Sequence, residues 1–231
     1  MDKMTDKAII FDSGALISFS MNGITDFVRD LKKVFDGKFL ITKEIKGEII
    51  DRPLKIKRFR LEALKLSGLL DEKVIELPDS VGVKDDEIAK RTQEILNFAN
   101  SAFNGRGKDL HIMDLGEASG LALSKILLER KIKNVLVIDE RTTRVLIENP
   151  ENLKKFLERK LHVDIKSNGK NLTQFRKFSV IRSTELVYVG YKKGVLKFKS
   201  KNALDAMLYA LKSKGAAITY DEIEEMKKLA G

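Results

Sequence analysis

The chain has 231 residues, with 44 Lys and Arg against 34 Asp and Glu, a formal charge of +10 at pH 7, and 43% hydrophobic residues. That apolar share can fill a core, and the length suits one large domain or one domain with a substantial insertion. Cys and Trp are absent and there are only two His, His111 and His162, which excludes disulfides, thiolate metal sites and Cys nucleophiles and leaves any catalysis to carboxylates, Lys, Arg or hydroxyls.

Residues 1–7 are charged and lack the apolar stretch of a signal peptide, and no run of about 18 apolar residues offers a membrane span. A cytoplasmic protein is therefore expected. Lys7 to Asp12 reads as a buried strand ending in an acid, and Ser13-Gly14 as a turn. Helical spacing then runs from Ala15 to Phe35 and stops at Gly37. A second strand is expected at Lys38–Thr42 and a short helix at Lys43–Asp51, ended by Pro53. Residues 57–70 resemble an amphipathic helix with a basic start, Val74–Leu77 a minor strand, and 85–103 a helix capped by Asp85 or Asp86. Asn104-Gly105-Arg106-Gly107-Lys108 reads as a mobile loop without a Walker pattern. Asp114-Leu115-Gly116-Glu117 opens a helix of small residues, and Asn134–Asp139 is a third apolar strand ending in an acid. A helix through Ile147, strands near His162–Ile165 and Phe178–Ile181, and helices at 183–193, 203–214 and 219–229 complete the reading. Strands alternating with helices imply a parallel α/β sheet covered on both faces.

The charge is unevenly placed. Residues 1–149 hold 26 basic and 25 acidic side chains, residues 150–204 hold 14 and 4, and residues 205–231 hold 4 and 5. The whole surplus therefore lies in one segment, with a smaller cluster at Arg52, Lys55, Lys57, Arg58 and Arg60. A solvated surface is the plain reading of Lys-rich sequence. Concentration in one stretch points instead to a polyanion, and nucleic acid is the commonest such partner. Lys154, Lys155, Arg159, Lys160, Arg176, Lys177, Lys192 and Lys193 are the candidate contacts. Phe175 and Phe178 between them are expected in the core rather than stacked on bases.

Asp12 and Asp139 each end a strand, Glu48 follows the second strand on its helix, and Glu117 lies in the first turn of another helix. In an open parallel sheet these places share the carboxyl edge, where ligands bind. Clustered carboxylates repel one another, and a hard divalent cation relieves the conflict. Mg²⁺ or Mn²⁺ suits an oxygen-only donor set and can activate water beside a phosphodiester.

Ile10-Phe11-Asp12-Ser13-Gly14-Ala15-Leu16 resembles the opening motif of PIN-domain nucleases. Ile41–Ile49, with Glu48, is similar to their second motif, Asp114–Leu123, with Glu117, to the third, and Val135–Arg141 followed by Arg144 to the fourth, whose acid falls on Asp139. The four occur in family order, and the segments near Gly194–Leu196 and Ala210–Gly215 resemble the C-terminal helices of longer members. The resemblance implies a single PIN-like domain over 1–231: a three-layer α/β/α fold with a central, mainly parallel sheet and basic helical insertions near 52–110 and 147–180, as in larger archaeal members. It further implies a Mg²⁺- or Mn²⁺-dependent nuclease cutting phosphodiester bonds, RNA ahead of DNA, with Asp12, Glu48, Glu117 and Asp139 as catalytic metal ligands. A homodimer and a protein inhibitor are partners such a family suggests.

Rival readings stand beside these. Glu44 competes with Glu48 one turn earlier. Asp114 and Glu117 fit a capping box, with Asp114 as a cap that assists the metal. Ser13 either makes a turn or orients a carboxylate. Arg141 and Arg144 either hold a phosphate near Asp139 or are plain helix surface, and Glu140 is expected to be exposed. A non-catalytic DNA- or RNA-binding protein on the same fold is the alternative function.

Overall fold

The computed structural model describes residues 6–196, 200 and 202–230. Met1–Thr5 of the N-terminal reading and residues 197–199 and 201 of the basic stretch lie outside the described residues.

Four parallel strands form the main sheet, in the order β2 (Lys38–Leu40), β1 (Lys7–Phe11), β5 (Lys133–Val137), β7 (Val180–Ile181). Alternation along β1 sends Ala8 and Ile10 into one apolar cluster and Ile9 and Phe11 into another, as the two-residue period of a strand requires. The first cluster lies against α5 (Asp85–Asn100) and α6 (Leu115–Glu129), with α7 (Arg141–Glu148) and α8 (Pro150–Leu161) at its margin. The second lies against α1 (Ser13–Met21), α2 (Thr25–Val34), α3 (Lys43–Lys46), α4 (Arg60–Asp71), α10 (Ser183–Lys192), α11 (Ala203–Ser213) and α12 (Tyr220–Ala230). Three α/β/α layers result, as expected. Among the described residues no helix is long and apolar enough to cross a membrane.

A second, antiparallel sheet was not foreseen. It consists of β4 (Lys108–Asp109), β3 (Phe103–Gly105) and β6 (Ile165–Ser167). The segment read as a mobile loop is its hairpin. Arg106 and Gly107 both take positive φ, +52° and +78°, the backbone that a two-residue hairpin turn matched to strand twist demands. β6 comes from the other extra segment, so residues near 103 and near 166 are paired. The Asn168 N–H donates to the Ala102 carbonyl at 2.8 Å, and Asn171 Nδ2 donates to Ser101 Oγ at 2.9 Å, closing the seam beside α9 (Gly169–Leu172).

Other expectations are corrected locally. The helix from Ala15 to Phe35 is two helices, because the chain turns at Asn22-Gly23, where Gly23 takes φ +68°. The basic start at 57–59 is a separate 3₁₀ turn before α4, and α5 ends at Asn100 rather than near 103. Val74–Leu77 contributes only a bridge from Glu76 to Leu40. The strand placed at His162–Ile165 begins at Ile165, since His162 takes a left-handed turn (φ +52°) that ends α8. Phe175 and Phe178 are buried, in the core as expected.

Candidate active site

Strand order dictates where a site can form. From β1 the chain steps to one side for β2, and β5 takes the other side, so the carboxyl ends of β1 and β5 flank the point where the order reverses. β1 and β5 are in register from Lys7↔Lys133 to Phe11↔Val137. The Asp12 N–H donates to the Val137 carbonyl at 3.1 Å, so Asp12 and Asp139 leave neighbouring strands about 4.8 Å apart at nearly the same height. A cleft of about 600 Å³ opens here, and Asp12, Glu48, Glu117 and Asp139 all line it, with Ser13 and Asp114.

Each acid is positioned by a different local device. Asp12 caps α1, its carboxylate accepting from the Gly14 N–H at 3.3 Å. Glu48 sits in a π-helical turn, Gly47–Asp51, that continues α3. Such turns are rare and frequent at functional sites. Glu48 lines the cleft, and Glu44 one turn earlier does not. The Glu48 carboxylate rests against the backbone of Gly116: a Cβ on Gly116 would stand 2.6 Å from Glu48 Oε1. Only glycine lets a carboxylate approach the first turn of α6 so closely, where the helix dipole favours negative charge. Glu117 answers both readings of its motif at once. Its Oε2 accepts from the Asp114 N–H at 3.1 Å, closing the helix start, while its side chain also lines the cleft. Asp114 itself is exposed and bonded to His111 Nε2 at 2.7 Å. Asp139 accepts from the Ser183 N–H at 2.8 Å, which ties the end of β5 to the start of α10.

The electrostatics are those of an uncompensated anion cluster. Burial lifts the Asp12 carboxyl to about 6, against the pull of the Ser13 and Gly14 amides, with Glu48 and Asp139 adding repulsion. Burial lifts Glu117 further, to about 8, with Asp12 and Glu140 adding repulsion. Asp139 is also raised by burial, although Ser183, Arg144 and Arg182 oppose the rise. Asp12 Oδ1 and Asp139 Oδ2 are buried with no hydrogen-bond partner among the described residues. Each such atom costs about 1–3 kcal/mol, and their gathering at one strand edge marks a place built for something else to satisfy them. The donor set is oxygen throughout, which fits Mg²⁺ or Mn²⁺ in kind. Among the described residues no three acidic or histidine side chains stand close enough to hold an ion as placed, a spacing that like charges without a counter-ion favour.

Several contributors escaped the sequence reading. Arg52, from the smaller basic cluster, and Lys214 both line the cleft and bring the cations that a phosphate needs. Glu140 is exposed as expected, but it also lines the cleft and caps α7 through the Thr143 N–H at 2.7 Å. Thr42 and Ser119 share a buried hydroxyl contact at 2.6 Å that locks α3 to α6, and Ser119 Oγ donates onward to the Gly116 carbonyl at 2.6 Å. Strand-to-helix turns rich in Thr and Ser were the available signal for these.

The supporting basic residues sit on separate elements. Arg144 is half-buried, with Nε 3.9 Å from Glu148, and its charge acts on Asp139. Arg141 faces away from the cleft floor, its guanidinium on the Phe156 ring. Lys154 pairs with Glu158 at 3.8 Å, while Lys155, Arg159 and Lys160 are exposed on α8. Lys192 and Lys193 are at the far end of α10 from the cleft, and Arg176 and Lys177 precede β7 at the opposite edge of the sheet. No family model, curated protein or solved structure matches the chain.

Proposed function

We propose that the chain is a Mg²⁺- or Mn²⁺-dependent nuclease hydrolysing phosphodiester bonds, with RNA ahead of DNA as substrate. One observation carries the reading: buried, partnerless oxygens of Asp12 and Asp139 at adjacent strand ends, in a cleft shared with Glu48 and Glu117. Asp12, Glu48, Glu117 and Asp139 would hold the cation, and Asp114 stands at the rim. When bound, the cation supplies Lewis-acid polarisation of a phosphodiester oxygen and a more acidic water. Arg52 and Lys214 face the same space and offset the charge of a bound phosphate. Ser13 and the α1 amides hold Asp12 in place. Glu117 carries a proton at neutral pH in the metal-free protein, with its carboxyl at about 8. Glu117 would have to give up that proton to bind a cation, so affinity for the cation should rise with pH.

The test is cleavage of labelled RNA and DNA pools in Mn²⁺ by the wild type and by the Asp12→Asn, Asp139→Asn double variant. Loss of about 10³-fold or more in rate is expected, on the scale of removing a site's principal charge stabilisation. Equal cutting by both proteins overturns the assignment. Tight RNA binding in EDTA with no cleavage in either cation makes the protein a nucleic-acid-binding module instead.

A further inference from the structure

A second site adjoins the cleft at the start of α7. Glu140 lines the cleft, and the next residue, Arg141, lines a separate groove of about 160 Å³ between α7 and α8. Thr142, Glu148, Asn149, Asn152 and Phe156 line it too. The Arg141 guanidinium carbon lies 4.9 Å from the centroid of the Phe156 ring, and Lys160 Nζ lies 5.9 Å from the same centroid. Arg141 and Lys160 are exposed, and among the described residues no carboxylate pairs with either. Two uncommitted cations thus share one aromatic ring, and Glu140, next in the chain to one of them, lines the acidic cleft.

The arrangement has the parts of a single-strand platform: backbone charge neutralisation, a planar group for stacking, and polar side chains at hand. Arg on a ring retains a free guanidinium face, and bases stack on guanidinium planes as they do on aromatic rings. Asn149, Asn152, Thr142 and Glu148 provide donors and acceptors for a base edge. In a duplex the base faces are occupied by neighbouring pairs, so such a platform serves an unpaired nucleotide.

We infer that Arg141, Phe156 and Lys160 form a nucleotide-binding subsite that stacks one unpaired base of a strand leaving the cleft. The inference rests on the nucleic-acid reading of the cleft and names its preferred substrate form as single-stranded. Lys160 and Arg141 meet the phosphates on either side of the stacked base, and the Phe156 ring fixes Arg141 for stacking.

Binding is measured by fluorescence anisotropy in EDTA. The probes are a single-stranded RNA of about a dozen nucleotides, an abasic strand of the same length and charge, and the matching duplex. The wild type should bind the base-bearing strand about tenfold more tightly than the abasic one. Phe156→Leu, which keeps bulk and loses the ring, should abolish that preference and leave abasic-strand affinity within about twofold. Arg141→Lys, with charge kept and the plane removed, should act in the same direction. Thermal melts check that both variants fold. No base preference in the wild type, or a preference unmoved in Phe156→Leu, overturns the subsite. Mn²⁺-dependent cleavage is followed in parallel. Cleavage with no ring-dependent preference removes the subsite and keeps the nuclease; ring-dependent binding without cleavage does the reverse.

Discussion

Asp139 and Arg182 are both buried charges, 6% and 7% exposed, and are joined through Ser183, yet they are housed in opposite ways. Arg182 has all three guanidinium nitrogens engaged. Its Nη1 reaches Glu222 at 2.7 Å and the Ala217 carbonyl at 3.2 Å, while Nε and Nη2 reach Glu185 at 3.0 and 2.8 Å. Asp139 has one oxygen bonded to the Ser183 amide and one buried with no partner. Burial is equal, so burial does not distinguish them; completion of hydrogen bonding does. A satisfied buried charge clamps α10 to α12, and an unsatisfied one leaves an acceptor open.

Removing the satisfied charge should have the larger effect on the fold. Arg182→Ala is expected to lower stability by about 3 kcal/mol, the low end for breaking a buried pair, because Glu185 and Glu222 still reach solvent. Urea denaturation checks it; a loss under about 0.5 kcal/mol would mean the clamp is ornamental.

The unsatisfied charges should behave in reverse. Asp12 and Glu117 bind protons more tightly folded than unfolded, with carboxyls at about 6 and about 8 against 3.8 and 4.5. The folded state therefore holds more protons across roughly pH 4 to 8, and metal-free stability falls as pH rises through that window. Asp12→Asn should stabilise the metal-free protein by about 1–3 kcal/mol at pH 8, and added Mn²⁺ should flatten the wild-type pH slope. Thermal melts at pH 5 and pH 8, with EDTA or Mn²⁺, read both. A melting temperature that climbs with pH in EDTA contradicts the comparison.

The smallest change separates stability from function at one atom. Gly116→Ala favours the helix by as much as about 1 kcal/mol, but its methyl would press on the Glu48 carboxylate. Stability should hold or rise slightly while cleavage falls about tenfold. Unaltered cleavage would show that Glu48 does not need its seat on α6.

The four acids were legible because strand ends and helix starts are sequence features: Asp12 and Asp139 close apolar runs, and Glu117 follows a helix-start signature. Their meeting followed from parallel-sheet geometry. What could not be read was whatever depends on distant partners or on unusual backbone. Glu48 itself was expected on the helix after the second strand, but the π turn that carries it has no periodic signal in the sequence. Lys214 lines the cleft from the end of α11, where no local signal in the sequence points to it. The basic stretch is consecutive in sequence, but the fold divides it among α8, the approach to β7 and the end of α10. The β3–β4 hairpin was mistaken for a mobile loop because strands of two or three residues are too short to show alternation.

That hairpin has a consequence for how the protein can be cut apart. β3 lies between β4, its near neighbour in the chain, and β6, some sixty residues later. Deleting the later segment alone would bare one side of β3 and offer unpaired amides and carbonyls to another molecule, the usual start of edge-to-edge aggregation. The hairpin and the β6 segment therefore form a single seam: they must be kept together, or removed together, in any attempt to trim the protein to its main-sheet layers.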